Sequence, residues 1–262
     1  MLFQRLIWCA LGVAVLLGSL QSGLQQFQTL PILLAAEVFE GQKVEPVAAP
    51  AHEHAHADAA AHEHTHGPEA WEPADGLERN AWTWVANVLH AFSMALLLLV
   101  VMGLWSHRHG APQASLRLAM LVAAAGWLSL HFWPSLGLPA EVPGMEAAAL
   151  GARQGWWLLA VLCCGLACAS LAYFQQHWRI AVAAALLALP FIVGAPQPGG
   201  DALAGFSADA HAQMALLETR FFWATTWLSL SFWAGLGLLG AVAFGRWVQP
   251  LLAQPLPVPA AA

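Results

Sequence analysis

The chain has 262 residues, of which 59% are hydrophobic and 9% charged, with a formal net charge of −6 and a mean hydropathy of +0.61. A soluble domain carries about a quarter of its residues as charges, so this balance excludes one and specifies a membrane protein. The single lysine, Lys43, stands between Gln42 and Val44, which excludes a Walker A site, and no basic patch suited to nucleic acid occurs.

In chain order, the first element is an apolar run over 6–24 preceded by Arg5, long enough for a spanning helix. A cleaved signal peptide is the rival reading. The run exceeds a usual signal core, however, and no clear small-x-small site leads into a polar segment. Leu24, Phe27, Leu30 and Leu34 carry an apolar stripe onward to Glu37 and Glu40. Residues 1–40 are therefore expected to form an uncleaved anchor helix with an amphipathic extension, bent near Pro31.

Residues 41–80 are the one long polar segment. Two near-copies of a histidine trio lie within it, His52, His54, His56 and His62, His64, His66, interleaved with Glu53, Asp58 and Glu63. Neutral imidazole is a ligand for Zn, Cu, Ni and Co ions. Alternate spacing puts each trio on one side of an extended chain, while His52/His56 and His62/His66 would share a helical face. Either way a small cation gathers two or three nitrogens, with Glu53 and Glu63 adding negative charge. A solvated linker with incidental affinity is the plain alternative. The segment is too poor in large apolar residues to build a core, so order on metal binding is expected. His52-Glu53-x-x-His56 and His62-Glu63-x-x-His66 also match the H-E-x-x-H protease pattern. That motif needs a packed helix, and the Ala, Pro and acidic flanks give it nothing to pack against.

Further spans are expected at 83–105, 116–134, 155–174, 179–195 and 221–245. Together, 81–247 form a transmembrane bundle, followed by a Pro/Ala-rich tail at 248–262. The fold class is thus an all-α, polytopic membrane helix bundle of six transmembrane helices, or five if the short, Pro190-bearing run at 179–195 does not span. Arg5, Arg108, Arg117, Arg179 and Arg246 fall on one side, against Lys43, Arg79, Arg153 and Arg220 on the other. All fifteen acids share a side with the histidine tract. Both ends inside and the tract outside fits this pattern, the acids being a weaker topogenic signal than the bases. Tryptophans such as Trp82, Trp105, Trp133, Trp157 and Trp223 sit near span ends, as interfacial belts require.

Within the spans, an ionisable group marks a functional hypothesis because lipid penalises it by several kcal/mol. His90 and His131 qualify. Asn87, His90, Ser93 and Met94 share a helical face roughly 10 Å below the predicted edge at about 1.5 Å per residue, and could relay a transition metal. The alternative is that Asn87 and His90 hydrogen-bond a neighbouring helix. His131, close to Trp133-Pro134, reads as interfacial. Glu37 and Glu40, with Glu141 and Glu146, offer oxygen ligands in an anionic vestibule. The four cysteines contain no C-x-x-C pair; Cys164 and Cys168 share a helical face and read as small residues at a helix contact.

Four blocks carry a resemblance: Pro31-Ile-Leu-Leu-Ala-Ala-Glu37-Val-Phe-Glu40; Trp71-Glu-Pro-Ala-Asp75-Gly-Leu-Glu-Arg79; Leu136-Gly-Leu-Pro-Ala-Glu141-Val-Pro-Gly144-Met145; and Leu150-Gly-Ala-Arg153-Gln-Gly-Trp156-Trp157. With the His-rich loop, they resemble the CbtA family, probable cobalt transporter subunits of bacteria. The resemblance implies a multi-pass inner-membrane protein of about five spans associated with cobalt uptake for cobalamin synthesis. It also implies a small single-span CbtB-type partner, and it supplies no ligand set. The expectation is a non-enzymatic transport subunit with no permanent cofactor. It would capture Co²⁺ in a periplasmic loop, its partners being membrane lipid, the divalent ion and that small subunit. A membrane-anchored buffer or sensor for Ni, Zn or Co is the alternative. The metal candidates are the six tract histidines with Glu53, Glu63, His90, Met94, Glu37 and Glu40.

Overall fold

A computed structural model describes residues 2–41, 43, 73–109 and 115–252. The histidine tract, and with it His52, His54, His56, His62, His64, His66, Glu53 and Glu63, lies outside the described residues. Among those described there are nine α-helices and two π-helical turns and no strand. In a slab without water every backbone N–H and C=O must be satisfied inside its own segment, which helices alone achieve in an open chain.

Helix α1 (Leu2–Gln28) buries Ala10, Val13, Ala14, Leu17, Gly18 and Gln21, a stripe at three- and four-residue spacing. It packs along α3 (Leu77–His109). The chain breaks at Thr29 and restarts as α2 (Leu30–Glu40) with Pro31 in the first turn, where the missing N–H costs nothing. The interruption falls two residues before Pro31, where a bend is expected from the sequence.

Helix α4 (Ser115–Trp127) passes through a π-helical turn, Leu128–Phe132, into the short α5 (Trp133–Ser135). Pro134 explains the widened turn. It cannot donate to Leu130, and its ring would collide with that carbonyl in a regular helix. The same device recurs at Phe244–Val248, just before Pro250, between α8 (Ala208–Ala243) and α9 (Gln249–Leu252).

Five helical segments are long and apolar enough to cross a membrane: Leu2–Gln28, Leu77–His109, Ser115–Ser135, Leu150–Tyr173 (α6) and Ala208–Leu252. The run expected at 179–195 is α7 (Trp178–Val193), 16 residues long. At about 1.5 Å per residue it covers about 24 Å, short of the ~30 Å of a hydrocarbon core. It nevertheless turns back along α6. Trp156 Nε1 donates to the Pro190 carbonyl at 2.9 Å, and Arg179 at the other end donates to Phe174 O at 2.7 Å. The chain after α7 therefore returns to where α6 began, and Glu146 N meets Ala202 O there at 2.8 Å. Five long helices plus one short return give the bundle.

The principal core draws Leu17 from α1, Leu98, Leu99 and Met102 from α3, Ala119 from α4 and Leu236 from α8. Trp8, Leu16, Leu104 and Ile192 remain exposed, a surface suited to lipid. Charge divides the two ends. Every described acid lies toward the end that holds α2 and the start of α8. Arg5, whose guanidinium donates to Trp247 O at 3.5 Å, stands with Arg108, Arg179 and Arg246 at the opposite end.

The α1–α3 approach is set by Gly18. A Cβ there would fall 2.8 Å from Val88 Cα, a backbone atom that cannot move aside alone, whereas at Gly12 it would meet nothing within 4 Å. Gly18→Ala is expected to destabilise the bundle by about 1–3 kcal/mol, with Gly12→Ala indistinguishable from wild type in detergent thermal unfolding. Equal effects would contradict the close contact.

Candidate intramembrane metal site

The polar groups of the bundle concentrate where α1, α3, α4 and α8 converge. Between α1 and α3 they form a ladder. Trp84 Nε1 donates to Ser19 Oγ at 3.0 Å, and Asn87 Nδ2 donates to Ser22 Oγ at 3.0 Å and to Gln25 Oε1 at 2.8 Å. Gln25 Nε2 returns a bond to Asn87 Oδ1 at 3.2 Å, so the Asn87 amide is used at both atoms. Asn87 is helix glue, as the plainer reading of its position holds.

His90, one turn further along α3, is not. Its ring lies 5.0 Å from that of Phe232, centroid to centroid, and makes no hydrogen bond among the described residues. It is an exposed residue on the rim of an open cavity of about 240 Å³, lined also by Gln21, Asn87, His131, Thr225 and Ser229. Gln21 donates its amide N–H to Ser231 Oγ at 3.2 Å and leaves Oε1 without a hydrogen bond among the described residues. The cavity thus offers two imidazoles, an amide oxygen and hydroxyl oxygens, and no described carboxylate.

His131 is the residue that sequence spacing missed. Its place beside Trp133-Pro134 suggests an interfacial residue, yet the π-helical turn carries it onto the same cavity as His90. Its Nε2 is closed off from solvent and has no hydrogen-bond partner. The signal available in the sequence was Pro134 three residues later, which removes a helical hydrogen bond and so favours a local departure from regular helix in the preceding turn.

Met94 lies elsewhere. It lines a separate, apolar cavity of about 400 Å³ with Leu98, Ser129, Cys168 and Trp233, so the stripe running from Asn87 to Met94 divides between two spaces. The hydroxyl of Ser93 donates back to Leu89 O at 3.0 Å. All four cysteines are free thiols, and no three His, Cys, Asp or Glu side chains converge as a ready metal cluster among the described residues.

Glu37 and Glu40 belong to a cap over the acid-bearing end. Ala36, Val142, Leu203 and Met214 form its apolar centre, with Ile32, Phe39 and Phe206 around it. Ion pairs close it. Arg79 joins Glu37 at 2.7 Å and Asp75 at 3.2 Å, Arg153 joins Glu141 at 2.8 Å, and Lys43 joins Glu146. Glu40 packs against Gly144, whose φ of +83° makes the turn that a side chain would strain. Asp201 accepts the Leu203 backbone N–H at 3.0 Å and faces His211 Nε2 at 3.2 Å, and these two contacts hold its carboxyl below the usual carboxylate range. Several acids of the expected vestibule are therefore engaged in pairs.

Fold and cavity together define a polytopic, all-helical membrane protein with an open, imidazole-bearing polar cavity between its helices. The chain belongs to the CbtA family, described as a probable cobalt transporter subunit, whose model matches residues 3–245. A subunit implies a partner, and the family's ion is cobalt. Neither the comparison with curated proteins nor that with solved structures found a match.

Replacing Asn87 by Leu strands Gln25 and Ser22 in the seam, with an expected loss of about 1 kcal/mol by unfolding in mixed micelles. Gln26→Ala removes only the exposed bond to Asn80 and is expected to change nothing measurable. Equal losses would contradict a buried ladder.

Proposed function

We propose that the chain is the membrane-embedded subunit of a cobalt uptake system of the bacterial inner membrane. The His-rich tract captures the divalent ion on the periplasmic side, and a small single-span CbtB-type subunit completes the assembly. The ion is cargo and no resident cofactor is invoked. Family membership supports the cobalt assignment.

One observation carries the capture step: both flanks of the tract are tied down at the acid-bearing end. Upstream, Lys43 donates to Gly144 O at 3.3 Å and pairs with Glu146. Downstream, Arg79 grips Glu37. The donors His52, His54, His56, His62, His64 and His66, with Glu53 and Glu63, are spliced between two anchors on the cap. The polar cavity lies in the half of the bundle nearer that end, since Gln25 stands three residues before the end of α1. Glu37 and Glu40 then serve by shaping the cap through which the ion passes toward His90. Without a Walker A sequence, the driving force comes from the ion gradient or from a partner.

The test is radiolabelled Co²⁺ uptake by cells expressing the chain with its partner subunit. Alanine at all six tract histidines is expected to raise the apparent KM several-fold while the maximal rate holds. An unchanged KM would remove the capture step. Loss of uptake at every concentration would favour the buffer or sensor reading. Acid should reproduce the histidine replacement, because only neutral imidazole ligates. Its ordinary value is about 6.5, so capture present at pH 7.5 should fade below about pH 6. A KM flat across that range would contradict imidazole capture.

A further inference from the structure

His131 and Thr225 line two cavities at once. The first is the 240 Å³ space that holds His90. The second, of about 150 Å³, lies between α5, the turn that follows it, α6 and α8, and is lined by Pro134, Ser135, Leu138, Trp157 and Phe222. Along α8 the lining runs Phe222, Thr225, Ser229, Phe232, one face at three- and four-residue steps descending from the acid-bearing end. Along the other wall it runs from Ser135 back to His131. The outer cavity is therefore stacked on the inner one, and His131 with Thr225 forms the partition between them.

We propose that His90 and His131 make a two-imidazole site for a divalent transition-metal ion inside the bundle. It is entered from the acid-bearing end through the outer cavity, past the His131–Thr225 partition. The proposal rests on the transport reading above for its direction, though not for the site's existence. Three features specify the ligand. Imidazole nitrogen selects Co²⁺, Ni²⁺ or Zn²⁺ over Mg²⁺ and Ca²⁺, which take oxygen and usually carboxylate. Oxygen donors stand ready in Gln21 Oε1 and the Thr225 and Ser229 hydroxyls, and the space has room for waters that spare the ion full dehydration. The absence of a described carboxylate makes the site weak, as a waypoint must be if the ion is to leave it.

The same placement accounts for an otherwise costly arrangement. A buried ring nitrogen with no partner, as at His131 Nε2, is rarely kept in a folded chain, since each such group forfeits a hydrogen bond. A π-helical turn likewise departs from regular bonding and recurs at functional positions. Both occur at His131. Asn87, by contrast, is saturated by Gln25 and Ser22 and serves to hold α3, and so His90, at fixed rotation against α1.

The experiment is titration of the full-length, purified chain with CoCl₂, its six tract histidines replaced by alanine so that loop binding is silent. Binding is followed by calorimetry and by cobalt ligand-field absorption. One Co²⁺ per chain is expected, with imidazole-type absorption. Adding His90→Ala or His131→Ala should each weaken it about tenfold or more. His131→Asn, which keeps a polar side chain at the partition, separates lost ligation from lost folding when elution volume and melting midpoint match the parent. Binding unaffected by either histidine variant, or no binding by a well-folded tract-silent chain, would overturn the proposal. Failure of tract capture appears differently, as an unchanged uptake KM in the six-histidine variant, and leaves this site standing.

Discussion

Every polar atom placed in an apolar slab must find a partner or be penalised, and this constraint organises the bundle. Asn87, Gln25, Ser22, Ser19 and Trp84 answer it by bonding to one another along the α1–α3 seam. That ladder fixes the rotation of the two longest early helices, with Gly18 against Val88 fixing their separation. Immediately below it the pattern changes: His90, an exposed residue, and His131, whose Nε2 is closed off without a partner, line one shared cavity.

The blocks by which the chain resembles its family acquire a common physical meaning once the cap is seen. Glu37 and Arg79 come from the first and second blocks, and Glu141 and Arg153 from the third and fourth. They are ion-paired across the acid-bearing end. Gly144 turns against Glu40, and Trp156 reaches Pro190 to hold α7 against α6. The blocks are thus the parts of one lid over the bundle, anchoring both flanks of the histidine tract. Membership of the CbtA family rests on a match over residues 3–245, which takes in that lid and most of every long helical segment.

Much of this was legible in the residues. Apolar length located five of the six expected spans, and the described acids gather at one end as their placement in the sequence suggests, because lipid penalises both kinds of error heavily. Pro31 and Pro190 mark local interruptions in the sequence. Pro31 opens α2, while Pro190 sits in a helix that is short but still returns the chain. What spacing could not give was which residues face one another. An ideal 3.6-residue period joins His90 to Met94, yet the surrounding helices divide that stripe between a polar and an apolar cavity. His131 eluded the same rule because a π-helical turn shifts the face on which a residue emerges. The partners of Glu37 and Glu141 lie in distant segments, which periodicity does not connect.

The central claim is that an ion held within the bundle meets two histidine nitrogens supplied by α3 and by the turn before α5. X-ray absorption at the cobalt edge of the tract-silent chain, loaded with one Co²⁺, measures this most directly. The account predicts scattering from two imidazole rings, falling to one in His90→Ala and likewise in His131→Ala. A spectrum of oxygen neighbours alone, unchanged by either substitution, would contradict it.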